Sequence, residues 1–222
     1  ILTANRNSLQ LFDMLHSMRQ FDDLTYVHSV NVALIASILG QWLKFSEKDI
    51  RILTISGLLH DIGKIMIPNE ILTKPGKLTV AEYNIMKQHV NFGYEKVKNQ
   101  NIDIRIKEAC LLHHEKCDGT GYPFGLKSDH IPAVAKIIAI ADVYDAMTSA
   151  RVYRGALCPF EVIDTMYKDA FTKFEPEYIL PFLKNVASSY INNDVRLSDG
   201  RIGKVVLINE NALLSLIHIS EP

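Results

Sequence analysis

Histidines and aspartates are the residues of this sequence best suited to chemistry. His60 and Asp61 stand side by side at the end of a long apolar run, and Gly63 and Lys64 follow directly. An adjacent His-Asp pair on a buried helix is most often a hydrogen-bonded core pair. Burying both groups is nevertheless costly unless something compensates. The pair therefore directs attention to residues that could share a metal ion with it.

Four further histidines and one aspartate have side chains that bind metal ions. They are His28 upstream, and His89, His113, His114 and Asp142 downstream. His28 alone would more often be a core histidine than a ligand, but five of the eight histidines fall in this one set. Imidazole and carboxylate ligands without a thiolate suit iron, manganese or similar ions. The set predicts a metal-dependent hydrolase.

Composition excludes several classes of function. The chain has 222 residues, 48% of them hydrophobic, and a formal net charge of −1. It therefore has no basic field to hold DNA or RNA, and any nucleotide must be bound locally. No apolar run approaches the roughly 20 residues of a membrane span, and no signal peptide is visible. The three cysteines have no zinc-type spacing and cannot all pair, which favours a cytoplasmic location.

The two ends of the chain carry expectations of their own. The sequence begins at Ile1 without an initiator Met, so residues 1–22 are interpreted as a helix or linker from a missing upstream domain. Residues 23–190 form the predicted catalytic domain, and residues 191–213 a small, truncated β appendage. Residues 214–222 resemble a translated sequencing adapter, and His218 within them is not a candidate ligand.

The elements that must position the candidate ligands are helices. One is predicted from about residue 24 to 43, with Val27, Leu34, Ile38 and Trp42 as its apolar stripe and His28 beside it. A second, roughly 47–62, follows a capping-box-like start and is apolar on nearly every side, which predicts a central position.

The end of that central helix would display the His-Asp pair. Successive helical residues project about 100° apart, so two metals could lie on either side of the Asp61 carboxylate. Gly57 permits close approach of a neighbouring helix. Gly63 suits a helix stop, which would release Lys64 into the site.

Further helices would carry the downstream ligands. A capping box at Thr79 opens a helix to about residue 98 that bears His89, with Tyr83 among its inward residues. Asp103 caps the next helix, on which Cys110 and His113 share a face.

A glycine-rich loop over residues 115–125 could be a connector or a wall of the site. The helix after it places Asp142 and Asp145 on one face. Arg151 and Arg154 are either solvated surface residues or a phosphate clamp. Residues 195–208 alternate around Asp199-Gly200 and predict a hairpin.

These motifs, taken together, resemble those of an HD-GYP domain, a subgroup of the HD phosphohydrolases. The resemblance covers about residues 22–190 and rests on four stretches in the expected order. They are His60-Asp61-Ile62-Gly63-Lys64, His113-His114-Glu115, Asp118-Gly119-Thr120-Gly121-Tyr122-Pro123, and Asp142-Val143-Tyr144-Asp145-Ala146-Met147-Thr148-Ser149 with Arg151, Tyr153 and Arg154. The resemblance implies an all-α helical bundle with a buried dinuclear metal site, to which the sequence adds a short C-terminal β-hairpin.

The resemblance also implies an activity, the hydrolysis of the bacterial second messenger cyclic di-GMP to the linear dinucleotide pGpG and, in some family members, on to GMP. It implies that one metal is held by His28, His60, Asp61 and Asp142. Asp61 would bridge to a second metal held by His89, His113 and His114. Lys64 would act at the substrate phosphate, and the implied substrate-binding residues are Gly121, Tyr122, Pro123, Asp145, Arg151 and Arg154.

One residue departs from the family pattern, and alternative functions are still open. Some relatives carry a glutamate four residues before the first histidine that helps to hold a third metal; here that residue is Leu24, which predicts two metals. The same fold could act on another cyclic dinucleotide, or serve as a weakly active binding or interaction module. Family members are usually fused to a sensor or receiver domain, and whether the chain forms a homodimer stays open.

Overall fold

The computed structural model describes residues 13–149, 157–196, 200–208 and 217–220. Its α-helices are α1 (Asp23–Trp42), α2 (Glu47–Leu59), α3 (Asn69–Leu72), α4 (Val80–Met86), α5 (His89–Val97), α6 (Ile104–Leu112), α7 (Ala133–Thr148), α8 (Pro159–Lys168) and α9 (Pro176–Ser188). Two short 3-10 helices cover Ile62–Met66 and Ser128–His130. Residues 13–21 are also helical. The predicted all-α bundle is confirmed.

Helix α1 packs against α2 and α7, but through a different face from the predicted stripe. Val27 and Leu34 are 52% and 59% exposed, so the prediction for them is wrong. The buried face instead includes small residues such as Ser29, Ala36 and Gly40. These small side chains let the helix axes approach closely, and Val32 and Leu39 are the larger apolar residues on the same buried face.

Helix α1 is also the one helix among the described residues that could cross a membrane by length and composition, with a mean hydropathy of 1.2. This differs from the expectation that no segment is long and apolar enough. Seven of its residues are buried inside the protein, and His28 on it reaches carboxylates of α7. In this structure α1 is therefore a core helix.

Helix α2 ends earlier than predicted. It begins with Ser46 as its N-cap and ends at Leu59, so His60 and Asp61 lie at its C-terminal end rather than within it. Gly57 confirms the predicted close approach, because a Cβ there would lie 2.5 Å from the Ala33 Cα. Gly63 does not stop the helix; it lies inside the 3-10 helix Ile62–Met66 that follows.

The single helix predicted over residues 79–98 is two helices. The Thr79 capping box opens α4 as predicted, but α4 ends at Met86 and α5 begins at His89. Val90 and Val97 are buried, whereas Tyr83, predicted to face inward, is 48% exposed. Because of this break, His89 is the first residue of α5, and its Nε2 lies 3.4 Å from the Nε2 of His113 at the end of α6.

The C-terminal strands β1 (Asp194–Arg196), β2 (Ile202–Ile208) and β3 (Ile217–Ser220) form one antiparallel sheet in that order. The pairing of Val195 with Gly203 confirms the predicted hairpin. Val205 of β2 is fully buried in the main core, so the sheet is attached to the helical domain. Strand β3 falls within the segment interpreted as adapter-derived, and that origin stays a prediction.

Candidate metal centre

Seven of the predicted ligands converge in the interior of the helical domain. They form two groups in which the ligand atoms lie within 4.8 Å of one another: Asp61, His89, His113 and His114 in one, and His28, His60 and Asp142 in the other. We call these the Asp61 group and the His28 group. Residues separated by more than a hundred positions in the sequence are thus neighbours in space.

Asp61 lies between the two groups and faces each with a different oxygen. Its Oδ1 is 3.3 Å from His89 Nε2 and 3.9 Å from His113 Nε2. Its Oδ2 is 3.3 Å from His60 Nε2 and 3.7 Å from His28 Nε2. A single carboxylate is therefore placed to serve both groups, as predicted for a bridging ligand.

Helix ends supply most of these side chains. His60 and His113 are the C-cap residues of α2 and α6, and His89 is the first residue of α5. His28 and Asp142 come from the interiors of α1 and α7, which pack against each other. Helix ends can present a side chain past the body of the helix, and this arrangement fills the space where α2, α5 and α6 meet.

The orientation of three imidazoles leaves their lone pairs facing inward. The Nδ1 atoms of His60, His89 and His113 lie 2.7, 2.8 and 2.9 Å from the carbonyl oxygens of Gly57, Met86 and Ala109. A carbonyl oxygen only accepts, so each Nδ1 donates and each neutral ring keeps its lone pair on Nε2. Metal-binding histidines are typically oriented by such a bond on the opposite ring nitrogen.

The inward atoms lack partners within the described protein. His60 Nε2 and Asp61 Oδ1 are buried without a hydrogen-bond partner, and the Nε2 atoms of His89 and His113 face each other at 3.4 Å. Unpartnered buried acceptors are costly, and two facing lone pairs repel. A cation between these atoms would remove both penalties, so the donor set fits divalent metal binding.

The pKa values of the histidines are shifted in opposite directions. Burial lowers the pKa of His89, His113 and His114, to about 3 for His114, and neighbouring histidines lower them further. Burial also opposes the protonation of His28, but its hydrogen bonds to Asp142 and Asp145 outweigh this effect and raise its pKa to about 9. The Asp61 group is therefore ready for a cation at neutral pH, whereas His28 must release a proton.

These shifts predict that the metal-free protein is most stable near neutral pH. Below about pH 6.5 the unfolded chain protonates histidines that stay neutral in the fold, costing up to about 1.4 kcal/mol per pH unit for each one. The contribution of His28 has the opposite sign: it is fully present below about pH 6.5 and is lost as the pH rises through about 9.

The measurement is urea unfolding of the chelator-treated protein from pH 5 to pH 10, beside a His28→Asn variant. The variant is expected to lose the decline between about pH 6.5 and 9 and to keep the acidic one. A His28→Asn profile that falls as steeply at alkaline pH as the wild-type profile would contradict the assignment. His130→Asn, at an exposed histidine, is the matched control.

Asp145 holds His28 in place. His28 Nδ1 lies 2.6 Å from Asp145 Oδ2, while its Nε2 lies 3.0 Å from Asp142 Oδ1. Asn31 Nδ2 and Ser149 Oγ donate to the other oxygen of Asp145 at 2.9 and 3.0 Å. The sequence reasoning gave Asn31 no role, although its position one turn after His28 on the same helix was a usable signal.

Among the described residues of the centre, Lys64 and His114 have the most exposed side chains, and we call this its open side. The side chains of His60, Asp61, His89 and His113 are at most 1% exposed, whereas those of Lys64 and His114 are 22% and 26% exposed. Lys64 Nζ donates to Asp61 Oδ2 at 2.5 Å. The desolvated lysine charge is among the causes that keep the pKa of Asp61 well below its usual range, against the effect of burial. A ligand that reaches the centre from this side therefore meets Lys64 and His114.

The glycine-rich loop forms a wall at this opening. Tyr122 stacks on His114 with ring centroids 4.7 Å apart. The loop is held by the buried Glu115 carboxylate, which accepts from the backbone N–H groups of Phe124 and Leu126 at 2.7 and 2.9 Å. Gly121 has no room for a side chain, since a Cβ there would lie 2.4 Å from the Lys116 nitrogen. The wall interpretation is thus favoured, and Glu115 is a loop anchor that the sequence reasoning did not identify.

The structure brings most of the predicted site residues to one place. Lys64 and Tyr122 contact members of the Asp61 group, and Asp145 contacts the His28 group. Gly121 and Pro123 flank Tyr122 in the loop. Arg151 and Arg154 lie outside the described residues, so their predicted role as a phosphate clamp stays a prediction.

Comparisons with known proteins agree with this geometry. The HD domain family model matches residues 9–178. A cyclic di-GMP phosphodiesterase of Pseudomonas aeruginosa is 37% identical over 89% of this chain and 48% of its own length. The 3'3'-cGAMP-specific phosphodiesterase 1 of Vibrio cholerae is 40% identical over 64% of this chain and 33% of its own length.

A solved structure shows the same fold. The HD domain of the Listeria monocytogenes phosphodiesterase PgpH, in complex with cyclic-di-AMP, superposes with a TM-score of 0.62 at 18% identity. The match covers 80% of this chain and 94% of that chain. By contrast, the chain spans less than half the length of the relatives it matches in sequence.

Proposed function

The chain belongs to the HD domain family, in its HD-GYP type, and on that basis we propose that it is a metal-dependent phosphodiesterase. Its substrate is cyclic di-GMP, which it hydrolyses to pGpG, with further cleavage to GMP as the alternative end product. Relatives named as cyclic di-GMP phosphodiesterases, at 36–41% identity, support this choice of substrate.

The observation that carries the proposal is the sharing of Asp61 between two ligand groups in a centre that is open on one side. A site that binds one structural ion needs neither a second ligand group nor an opening. Two divalent ions clamped on one phosphodiester can activate a water and neutralise phosphoryl charge. The geometry therefore suits hydrolysis better than a purely structural role.

We assign one ion to each ligand group, with iron or manganese as the metal. Histidine and carboxylate ligands suit these ions, and none of the three cysteines takes part in either group. Leu24 supports two ions over three. It lies one helical turn before His28, is 64% exposed, and has no atom that could coordinate.

The protein's own residues have separate tasks around the reacting phosphate. Lys64, at the open side, stabilises developing negative charge or protonates the leaving 3′ oxygen. Asp145 keeps His28 oriented, while Gly121, Tyr122 and Pro123 limit the space beside His114. Arg151 and Arg154 would bind phosphate oxygens, since guanidinium groups match oxyanions.

An Asp145→Asn substitution tests the positioning of His28. An asparagine oxygen can still accept from Nδ1 but carries no charge, so metal affinity is expected to fall by about 10- to 100-fold. Chelator competition measures the loss, and it should affect one of two binding steps because the Asp61 group keeps its own orienting carbonyls. Equal weakening of both steps would contradict this role, and Asp129→Asn at an exposed aspartate is the control.

A second substrate has specific support. Relatives named as 3'3'-cGAMP-specific phosphodiesterases are 35–40% identical to this chain, nearly the same range as the 36–41% of the cyclic di-GMP enzymes. The metal centre acts on the phosphodiester and not on the base, so it does not distinguish the two. We keep cyclic di-GMP as the first choice because relatives named for it match over the longer part of the chain.

We also propose that the domain acts in the cytoplasm as part of bacterial signalling, under an upstream sensor or receiver domain. Its three cysteines are free, as suits a reducing compartment.

The deciding experiment is a turnover assay with protein purified anaerobically and loaded with Fe²⁺ or Mn²⁺. Cyclic di-GMP and 3'3'-cGAMP are offered separately, and the products are identified by chromatography. We expect metal-dependent release of pGpG, abolished by a chelator. Binding of either dinucleotide without metal-dependent cleavage would overturn the proposal in favour of a binding module.

A further inference from the structure

An unassigned lysine and two tyrosines adjoin the metal centre. Lys87, the C-cap residue of α4, places its Nζ 5.3 Å from the ring centroid of Tyr83 and 5.9 Å from that of Tyr122. The two tyrosine rings meet edge to face at 6.5 Å. We call Tyr83, Lys87 and Tyr122 the α4 shelf. Neither Tyr83 nor Lys87 belongs to the motifs described above.

The shelf is continuous with the open side of the centre. Tyr122 is stacked on His114 and lies 6.5 Å from the ring of His89, so it joins the shelf to the Asp61 group. Tyr83 meets the ring of Tyr122 edge to face and is 48% exposed. A ligand that reaches the metal centre past His114 therefore extends naturally over these rings.

Lys87 has no carboxylate partner within the described residues, although its side chain is partly buried. Three other partly buried lysines do pair with carboxylates: Lys64 with Asp61, Lys74 with Glu82, and Lys136 with Glu175. Glu82, the acidic residue nearest in sequence, is held by Lys74 and the Thr79 backbone. A cation over aromatic faces gains only about 0.5–1 kcal/mol at an exposed site and keeps its N–H donors available for an anion.

The substrate class supplies a matching anion. A cyclic dinucleotide has two phosphates and two nucleobases, and only one phosphate can occupy the metal centre at a time. The other phosphate must lie to one side of the centre, where a single negative charge needs a cation. Its adjoining base has a flat face that stacks well on an exposed aromatic ring.

We propose that the α4 shelf binds the half of the cyclic dinucleotide that is not being cleaved. Lys87 contacts the second phosphate, and Tyr83 stacks a nucleobase. This inference rests on the proposed function and extends it, because it names residues that act in substrate binding and not in bond cleavage. It predicts that the shelf distinguishes a cyclic dinucleotide from a simple phosphodiester.

The test compares two substrates on Lys87→Met, Lys87→Arg and Tyr83→Leu variants. Cyclic di-GMP has the second half, whereas bis(p-nitrophenyl) phosphate lacks it. We expect Lys87→Met and Tyr83→Leu to raise the KM for cyclic di-GMP about tenfold or more relative to any change with the small substrate, a difference of about 1.4 kcal/mol. Lys87→Arg should restore most of the loss, and metal content should match that of the wild type.

Lys98→Met is the matched control, because Lys98 pairs with Glu95 at the other end of α5, about 13 Å along the helix from His89. Equal losses with both substrates would overturn the inference and place the shelf in the chemistry or the fold. Unchanged KM values with both would overturn it as well.

Failure of the proposed function looks different: the wild type itself would cleave no cyclic dinucleotide. Equilibrium binding of cyclic di-GMP then decides the inference. Binding that weakens about tenfold in Lys87→Met sustains it, and absent or unchanged binding overturns it.

Discussion

An Asp61→Asn protein is expected to fold, to lose its bound metal, and to hydrolyse cyclic di-GMP about a thousandfold more slowly or worse. Asp61 presents one oxygen to each ligand group, and its negative charge would offset part of the charge of two bound cations. Asparagine has the same shape but only one acceptor and no charge, so neither group keeps its shared ligand. Elemental analysis of metal per chain and steady-state turnover measure the two losses.

A comparison with His28→Ala sharpens this prediction. His28 belongs to one group only, so its removal should cost one ion and leave the other, whereas Asp61→Asn should cost both. Circular dichroism checks that both variants keep their helices, and Asp129→Asn serves as the exposed control. An Asp61→Asn protein with full metal content and wild-type turnover would show that the carboxylate is not the shared ligand.

Gly63→Ala is expected to destabilise the protein by about 3 kcal/mol or more and to empty the metal centre. A Cβ at residue 63 would lie 1.9 Å from the carbonyl oxygen of His89 and 2.4 Å from the nitrogen of Gly93. Both atoms belong to the α5 backbone, so no side chain can move to make room. The 3-10 helix after Asp61 would have to separate from α5, which carries His89.

Gly93→Ala is the natural control because it faces the same contact from the other side. Its Cβ would lie 3.4 Å or more from its neighbours, an ordinary contact distance. Alanine in a helix interior is better than glycine by up to about 1 kcal/mol, so stability should stay level or rise. Urea unfolding and metal analysis of both variants provide the measurement, and a Gly63→Ala protein as stable as the wild type would contradict the close contact.

The sequence predicted ligands better than it predicted helix faces, for a physical reason. Only a few residue types bind metal ions, so His60, His113 and Asp142 can be identified as candidate ligands from their residue type alone, without knowing how the helices pack. The buried face of α1 follows a different requirement: at Gly57 of α2 a Cβ would lie 2.5 Å from the Ala33 Cα, so the two helices touch there through small residues. The prediction from hydrophobic periodicity therefore placed Val27 and Leu34 on the buried face, although both are exposed.

The helix breaks were not predictable from local signals. The two residues between α4 and α5 are Lys87 and Gln88, and neither is a helix-breaking residue such as proline or glycine. Instead the ending of α4 is set by tertiary contacts, since α5 packs closely on the 3-10 helix Ile62–Met66 and on α6. The same holds for the role of Lys87, which depends on the ring of Tyr122, far away in the sequence.

The hydrogen bonds that orient the imidazoles differ in the sequence separation of their donor and acceptor residues. His60, His89 and His113 each donate to a carbonyl three or four residues earlier, whereas His28 relies on Asp145, 117 positions away. Short-range contacts form before long-range ones during folding. The rings of His60, His89 and His113 can therefore be oriented once their own helical turns have formed. The ring of His28 is oriented only when α1 docks on α7. Correct orientation of His28 therefore requires the assembled domain, whereas that of the other three rings requires only local structure.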